Sequence, residues 1–109
     1  MTLTEFLEAR IAEDEAVAEL ASSHNGGATF AKDNYGCLLV QPARVLAECA
    51  AKRRIVEVQA RLDAAHVAVG PRRRLRSGHR VAEDALQFVL RCLALPYAEH
   101  PDYDEAWRP

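Results

Sequence analysis

Four side chains in the C-terminal region are of types that carry out acid–base chemistry: Tyr97, His100, Asp102 and Tyr103. An imidazole exchanges a proton near neutral pH, a carboxylate can orient it, and a phenol can donate a hydrogen bond. The same region also holds the only tryptophan, Trp107. Burial of the aromatic rings is the simpler interpretation. We therefore predict that Tyr97, His100, Tyr103 and Trp107 dock this segment onto the fold, and we assign no catalytic residue.

Two ions of opposite sign fall within apolar stripes of predicted helices. On a helical wheel, Asp14 lies in the apolar stripe of the first helix and Arg53 lies in that of the second. A buried charge is costly without a partner, whereas an arginine–carboxylate pair satisfies both groups. We predict a structural ion pair between Asp14 and Arg53, with Lys52 or Arg54 as the second choice of partner. The alternative is an unusual enzyme with a polar pocket near Asp14, Arg53 and His100.

A basic connector precedes the last predicted helix, and its arginines are Arg72, Arg73, Arg74 and Arg76. Arginines grouped in this way can contact phosphates. No aromatic residues alternate with them for base stacking, and the sequence pI is about 6.1. We predict a solvated loop that screens acidic segments, with nucleic-acid binding through residues 72–80 as the alternative.

Charge is segregated along the chain, although the net charge is only −2. Acidic residues dominate positions 1–23 and 81–109, and basic residues dominate positions 42–80. We expect these blocks to neutralise one another in the folded protein.

Cysteines and histidines give no sign of a metal site. No C-x-x-C, H-x-x-x-H or H-E-x-x-H spacing is present, so we predict reduced, buried thiols and neither metal nor cofactor. The start of the sequence lacks the pattern of an export signal, and no apolar run is long enough to span a membrane. We expect a cytoplasmic location and no membrane partner.

Length and periodicity predict one mainly α-helical domain covering residues 1–109. Thr2 and Glu5 form a capping-box pattern that starts the first helix. The predicted elements, in order, are a helix over 3–22, a small β-hairpin over 28–40, helices over 43–68 and 79–95, and an ordered extended C-terminal tail.

The second half of the last predicted helix is apolar on nearly all sides. Such a helix is normally surrounded by protein. A single small domain has few elements with which to cover it, so self-association through the second or third helix, as a homodimer, is a further hypothesis.

The chain contains the segments IAEDE at 11–15, RVLAE at 44–48, AKRRIV at 51–56 and LALPYAEHPDYDEAWRP at 93–109. Together they resemble a family of short actinobacterial and phage proteins known as a domain of unknown function. Members of that family often carry a cysteine pair before the last helix, where this chain has the basic connector. The resemblance implies a small cytosolic protein of bacterial or phage origin and implies no reaction.

The sequence thus supplies surfaces and charge asymmetry but no recognisable catalytic motif. We predict a small helical interaction or regulatory module whose partner is a protein. Nucleic-acid binding and the unusual enzyme remain the alternatives.

Overall fold

A computed structural model describes the backbone of residues 1–25, 29–33, 36–69 and 77–109 and the side chains of residues 1–22, 41–65 and 80–109. In these described residues the fold is mainly helical and has three α-helices, as the sequence predicts. They are α1 (Leu3–Asn25), α2 (Pro42–Val69) and α3 (Ser77–Ala94). Within the described residues, no helix combines the length and the apolar content needed to cross a bilayer.

The start of α1 is fixed by the predicted capping box, which is confirmed. The backbone N–H of Glu5 donates to the Thr2 hydroxyl at 3.2 Å, and the backbone N–H of Thr2 donates to the Glu5 carboxylate at 2.7 Å. The other end of α1 reaches Asn25, three residues beyond the predicted 3–22. Ser23, His24 and Asn25 therefore continue the helix beyond its predicted end.

The bounds of α2 and α3 lie within two residues of the predicted 43–68 and 79–95. Pro42 occupies the first position of α2, where its missing N–H costs no helical hydrogen bond. Strands β1 (Thr29–Asp33) and β2 (Gly36–Val40) pair antiparallel, with Thr29 opposite Val40. The turn that the sequence predicts between them, at residues 34–35, lies outside the described residues.

The described core lies where the three helices meet. It joins the first turns of α1, the middle of α2 and the end of α3, and its buried members are Leu3, Phe6, Leu7, Ile11, Cys49, Val56, Leu90 and Ala94. Away from this core, apolar side chains such as Val17, Val58 and Val81 are exposed. The core therefore holds α3 firmly at its C-terminal end.

The C-terminal segment contains two short 3₁₀ helices, Leu95–Tyr97 and Glu105–Trp107. The prediction of an extended backbone is therefore wrong for these residues. Pro96 supplies the φ angle of the first turn, and the Asp104 side chain caps the second by accepting from the backbone N–H of Ala106 at 2.9 Å. These turns shorten the segment and bring its aromatic rings back toward α1.

Candidate functional site

Phe6 is the centre of an aromatic cluster beneath the C-terminal segment. Its side chain is fully buried. The ring centroids of Tyr97, His100, Tyr103 and Trp107 lie 6.3, 5.8, 5.9 and 5.1 Å from that of Phe6. Three of these contacts are edge-to-face, an arrangement worth about 0.5–1.5 kcal/mol per pair beyond area burial. The structure thus brings all four predicted docking residues to one ring, whose central position the sequence analysis missed.

Arg10 is a second residue that the sequence analysis missed. It is buried, although arginine is almost always exposed. Its guanidinium stacks over Phe6 at 5.3 Å from the ring centroid, donates to Glu13 Oε1 at 2.8 Å and contacts Nε2 of His100. Helical periodicity places Arg10 on the same face of α1 as Leu7 and Asp14. This spacing is the sequence signal that could have identified Arg10.

The two ring nitrogens of His100 contact different groups. Arginine has only donors, so the Nε2 atom of His100 accepts in the contact with Arg10. The backbone N–H of Asp102 donates to Nδ1 at 3.1 Å, and a carboxylate oxygen of Asp102 lies 3.9 Å from the same atom. These contacts hold the imidazole between α1 and the turn that follows it.

Two buried polar atoms of this cluster, Arg10 Nε and Tyr103 Oη, have no hydrogen-bond partner among the described residues. A buried donor without a partner costs roughly 1–3 kcal/mol. The aromatic packing around Phe6 must therefore offset an electrostatic cost at the same place.

A chain of hydrogen bonds joins α2, the C-terminal segment and α1. Lys52 Nζ donates to the Tyr97 hydroxyl at 3.2 Å, and this hydroxyl donates to Asp14 Oδ2 at 2.5 Å. Burial and the hydrogen bond to Asp14 raise the pKa of the Tyr97 phenol well above its usual range. Tyr97 therefore stays neutral and connects a cation to a carboxylate.

The predicted ion pair between Asp14 and Arg53 is wrong. Arg53 instead forms a two-pronged pair with Glu15, with Nε at 2.8 Å from Oε1 and Nη2 at 2.6 Å from Oε2. This hydrogen bonding lowers the pKa of Glu15 and raises that of Arg53. The apolar stripe identified the correct region of α1. The carboxylate of Asp14, however, accepts a hydrogen bond from Tyr97, and the adjacent Glu15 faces α2 and pairs with Arg53. Lys52, the second choice, reaches Asp14 only through Tyr97.

A small cleft lies between α1 and α2, lined by Glu8, Ile11, Arg53, Val56 and Glu57. Its volume is about 90 Å³, well below the roughly 300 Å³ at which ligand pockets begin. Neither Asp14 nor His100 lines it. This cleft therefore does not bring together the three residues of the predicted enzyme pocket, and Asp14 and His100 instead contact Tyr97 and Arg10.

The remaining predicted residues are placed as follows. Arg72, Arg73, Arg74 and Arg76 lie outside the described residues, as do the side chains of Cys37, His24, His66 and His79. Among the described side chains, no group of three or more His, Cys, Asp or Glu residues is arranged to hold a metal ion. Cys49 is buried, and burial raises the pKa of its thiol. Cys92 is exposed, so the prediction of a buried thiol is wrong there.

One side of α3, together with Leu95 directly after it, exposes large apolar side chains. Val81 is 69% exposed, Phe88 58%, and Val89 and Leu95 each 41%. Within the described residues, the expectation that protein surrounds this helix is therefore wrong. The opposite side packs, because Leu90 and Ala94 enter the core with Leu86 and Leu93 beside them.

The comparisons with known proteins place the chain in a family but give no activity. No curated protein and no solved structure matches it. The chain belongs to the Family of unknown function (DUF6221), whose family model matches residues 1–109.

Proposed function

We propose that this protein is an interaction module that binds another protein through the exposed apolar side of α3. The observation that carries the proposal is the exposure of Phe88, with 58% of its surface in solvent on the same helix as the exposed Val81 and Val89. Single exposed apolar residues are common, but several on one helix mark a binding surface. An amphipathic helix is the partner structure that fits such a side, because apolar side chains at helical spacing match one another.

The fold supports this role by fixing the position of α3. Leu90 and Ala94 anchor its last turns in the core, and the 3₁₀ helix Leu95–Tyr97 follows directly. Tyr97 then joins α1 and α2 through its hydrogen bonds to Asp14 and Lys52. A surface held in this way loses little conformational entropy on binding.

Site-specific photo-crosslinking tests the proposal. The photoreactive residue p-benzoylphenylalanine replaces Phe88, and a matched variant carries it at Val17, which is exposed on α1. We expect the probe at position 88 to form discrete crosslinks to a protein and the probe at position 17 to form none. Equal crosslinking at the two positions, or none at position 88 in cells that express the protein, would contradict the proposal.

The second candidate, nucleic-acid binding, is supported by the arginine run at residues 72–76 of the sequence. Retention on DNA that falls steeply with salt, and that is lost in the combined variant Arg72→Ala, Arg73→Ala, Arg74→Ala, would favour it. The Phe88→Glu variant serves as the control, because it alters the apolar side of α3 and leaves the connector unchanged.

A further inference from the structure

Five exposed residues, four in α3 and Leu95 directly after it, follow a heptad. Val81, Ala85, Phe88, Cys92 and Leu95 are separated by four, three, four and three residues, and all five are exposed. Alternating steps of three and four are the spacing of a coiled-coil seam, in which each side chain packs into a hole on a facing helix. We call these five residues the α3 seam.

The α3 seam is distinct from the side of the helix that builds the core. Leu90 and Ala94 are buried and Leu86 and Leu93 are partly buried, and none of them belongs to the seam. The helix therefore has two apolar sides, of which the described residues cover one. A helix with the same spacing would fit the other side, and α3 itself has that spacing.

We propose that the α3 seam pairs with the α3 seam of a second copy of this chain, with the two helices antiparallel. This inference rests on the proposed function and names its partner. Knob-into-hole packing then sets Val81 opposite the partner subunit's Cys92 and Ala85 opposite the partner subunit's Phe88. The two-fold axis repeats both layers.

Charge complementarity favours a second copy in this orientation. Asp84 and Arg91 each precede a seam residue, both are exposed, and neither forms an ion pair within the described part of the chain. In the antiparallel register, Asp84 faces the partner subunit's Arg91, and symmetry repeats the pair. In a parallel dimer they would face Val89 and Pro96 instead, because that arrangement apposes different flanking positions.

Side-chain size gives a second argument for the antiparallel register. The antiparallel register sets the small Ala85 against the large Phe88 of the partner subunit in both central layers, so that the two layers are filled evenly. A parallel, in-register pair would instead place Phe88 against Phe88 and Ala85 against Ala85. One layer would then be crowded and the next would be underfilled.

The native thiol in the α3 seam provides an orientation test. In a Val81→Cys variant, the new thiol lies opposite the partner subunit's Cys92, so mild oxidation should give a disulfide between positions 81 and 92, identified by mass spectrometry of peptides. The matched control is Val81→Cys with Cys92→Ser, which should give no such dimer. Val81 is exposed, so the variant should melt like the parent. A Cys92–Cys92 disulfide in the parent would overturn the antiparallel orientation.

Sedimentation equilibrium tests the second copy itself. We expect a concentration-dependent dimer that Phe88→Glu converts to monomer and that Asp84→Arg weakens by roughly tenfold. The double variant Asp84→Arg, Arg91→Asp should restore the dimer, because it exchanges the two charges. A monomer mass at every concentration would overturn the dimer, whereas the proposed function would still stand if photo-crosslinking at position 88 captured a different protein.

Discussion

The phenol of Tyr97 donates a hydrogen bond to the carboxylate of Asp14 at 2.5 Å, between residues 83 positions apart in the sequence. Lys52 completes the connection by donating to the same phenol. One side chain of the C-terminal segment therefore ties together both long helices. Because Tyr97, Tyr103 and Trp107 also pack against the buried core, the segment is held to the fold by apolar contacts as well as by hydrogen bonds.

Removal of the Tyr97 hydroxyl should destabilise the protein. We expect Tyr97→Phe to lower the free energy of unfolding by about 1–3 kcal/mol, because it leaves Asp14 and Lys52 without a shared partner. Tyr103→Phe is the matched control, since the Tyr103 hydroxyl is buried and has no hydrogen-bond partner in the described part of the chain. That variant should be neutral or more stable. Urea unfolding measures both, and equal losses would disprove the hydrogen-bond assignment.

Alkaline pH should weaken the fold through the same residue. The pKa of Tyr97 is raised in the folded protein by burial and by Asp14, relative to about 10 in an unfolded chain. A raised folded pKa gives stability that is complete below the unfolded pKa and is lost as pH rises through the folded pKa. The difference in stability between the parent and Tyr97→Phe should therefore shrink above about pH 10. A difference that stays constant from pH 8 to pH 12 would contradict the prediction.

Truncation of Phe6 should release the C-terminal segment. We expect Phe6→Ala to cost about 3–5 kcal/mol, because four aromatic rings lose their common contact. Trp107 is the only tryptophan, so its fluorescence should shift toward the red as the indole becomes hydrated. Val17→Ala, at an exposed position, is the control and should change neither stability nor emission. An unchanged spectrum in Phe6→Ala would show that the ring does not hold the segment.

The pair between Arg53 and Glu15 should contribute to stability at neutral pH and not in acid. The pKa of Glu15 is lowered by the guanidinium, so this contribution is present above the unfolded pKa and disappears as pH falls through the folded pKa. We expect Glu15→Gln to lower the melting temperature at pH 7 and to match the parent at pH 2. In the background of Arg53→Met, Glu15→Gln should have no further effect, whereas Asp14→Asn should have the same effect in either background.

Local rules predicted the parts of the fold that depend on local interactions. The capping box at Thr2 and Glu5 and the breakers around the helices set the element bounds to within three residues. Aromatic content singled out the segment that meets Phe6. Each of these patterns determines structure only a few residues away along the chain, so it can be recognised from the sequence alone.

The choice of partners for the charges could not be predicted in the same way. Asp14 and Glu15 are adjacent in sequence, and which of them meets Arg53 depends on where Tyr97 lies after the C-terminal turns have formed. Arg10 was overlooked because an arginine is expected at a surface, and its burial depends on Phe6 and His100. The exposure of the α3 seam likewise depends on whether another helix or strand packs against it in the folded chain. All three are properties of the assembled fold.

The joining of Phe6 to Trp107 also constrains biosynthesis. Nearly the whole 109-residue sequence separates these rings, so translation must pass residue 107 before the core can close. Until then, the first helix presents its aromatic side chain to water, where chaperones and proteases act on nascent chains. A product that ends before Trp107 would therefore lack part of the aromatic cluster around Phe6.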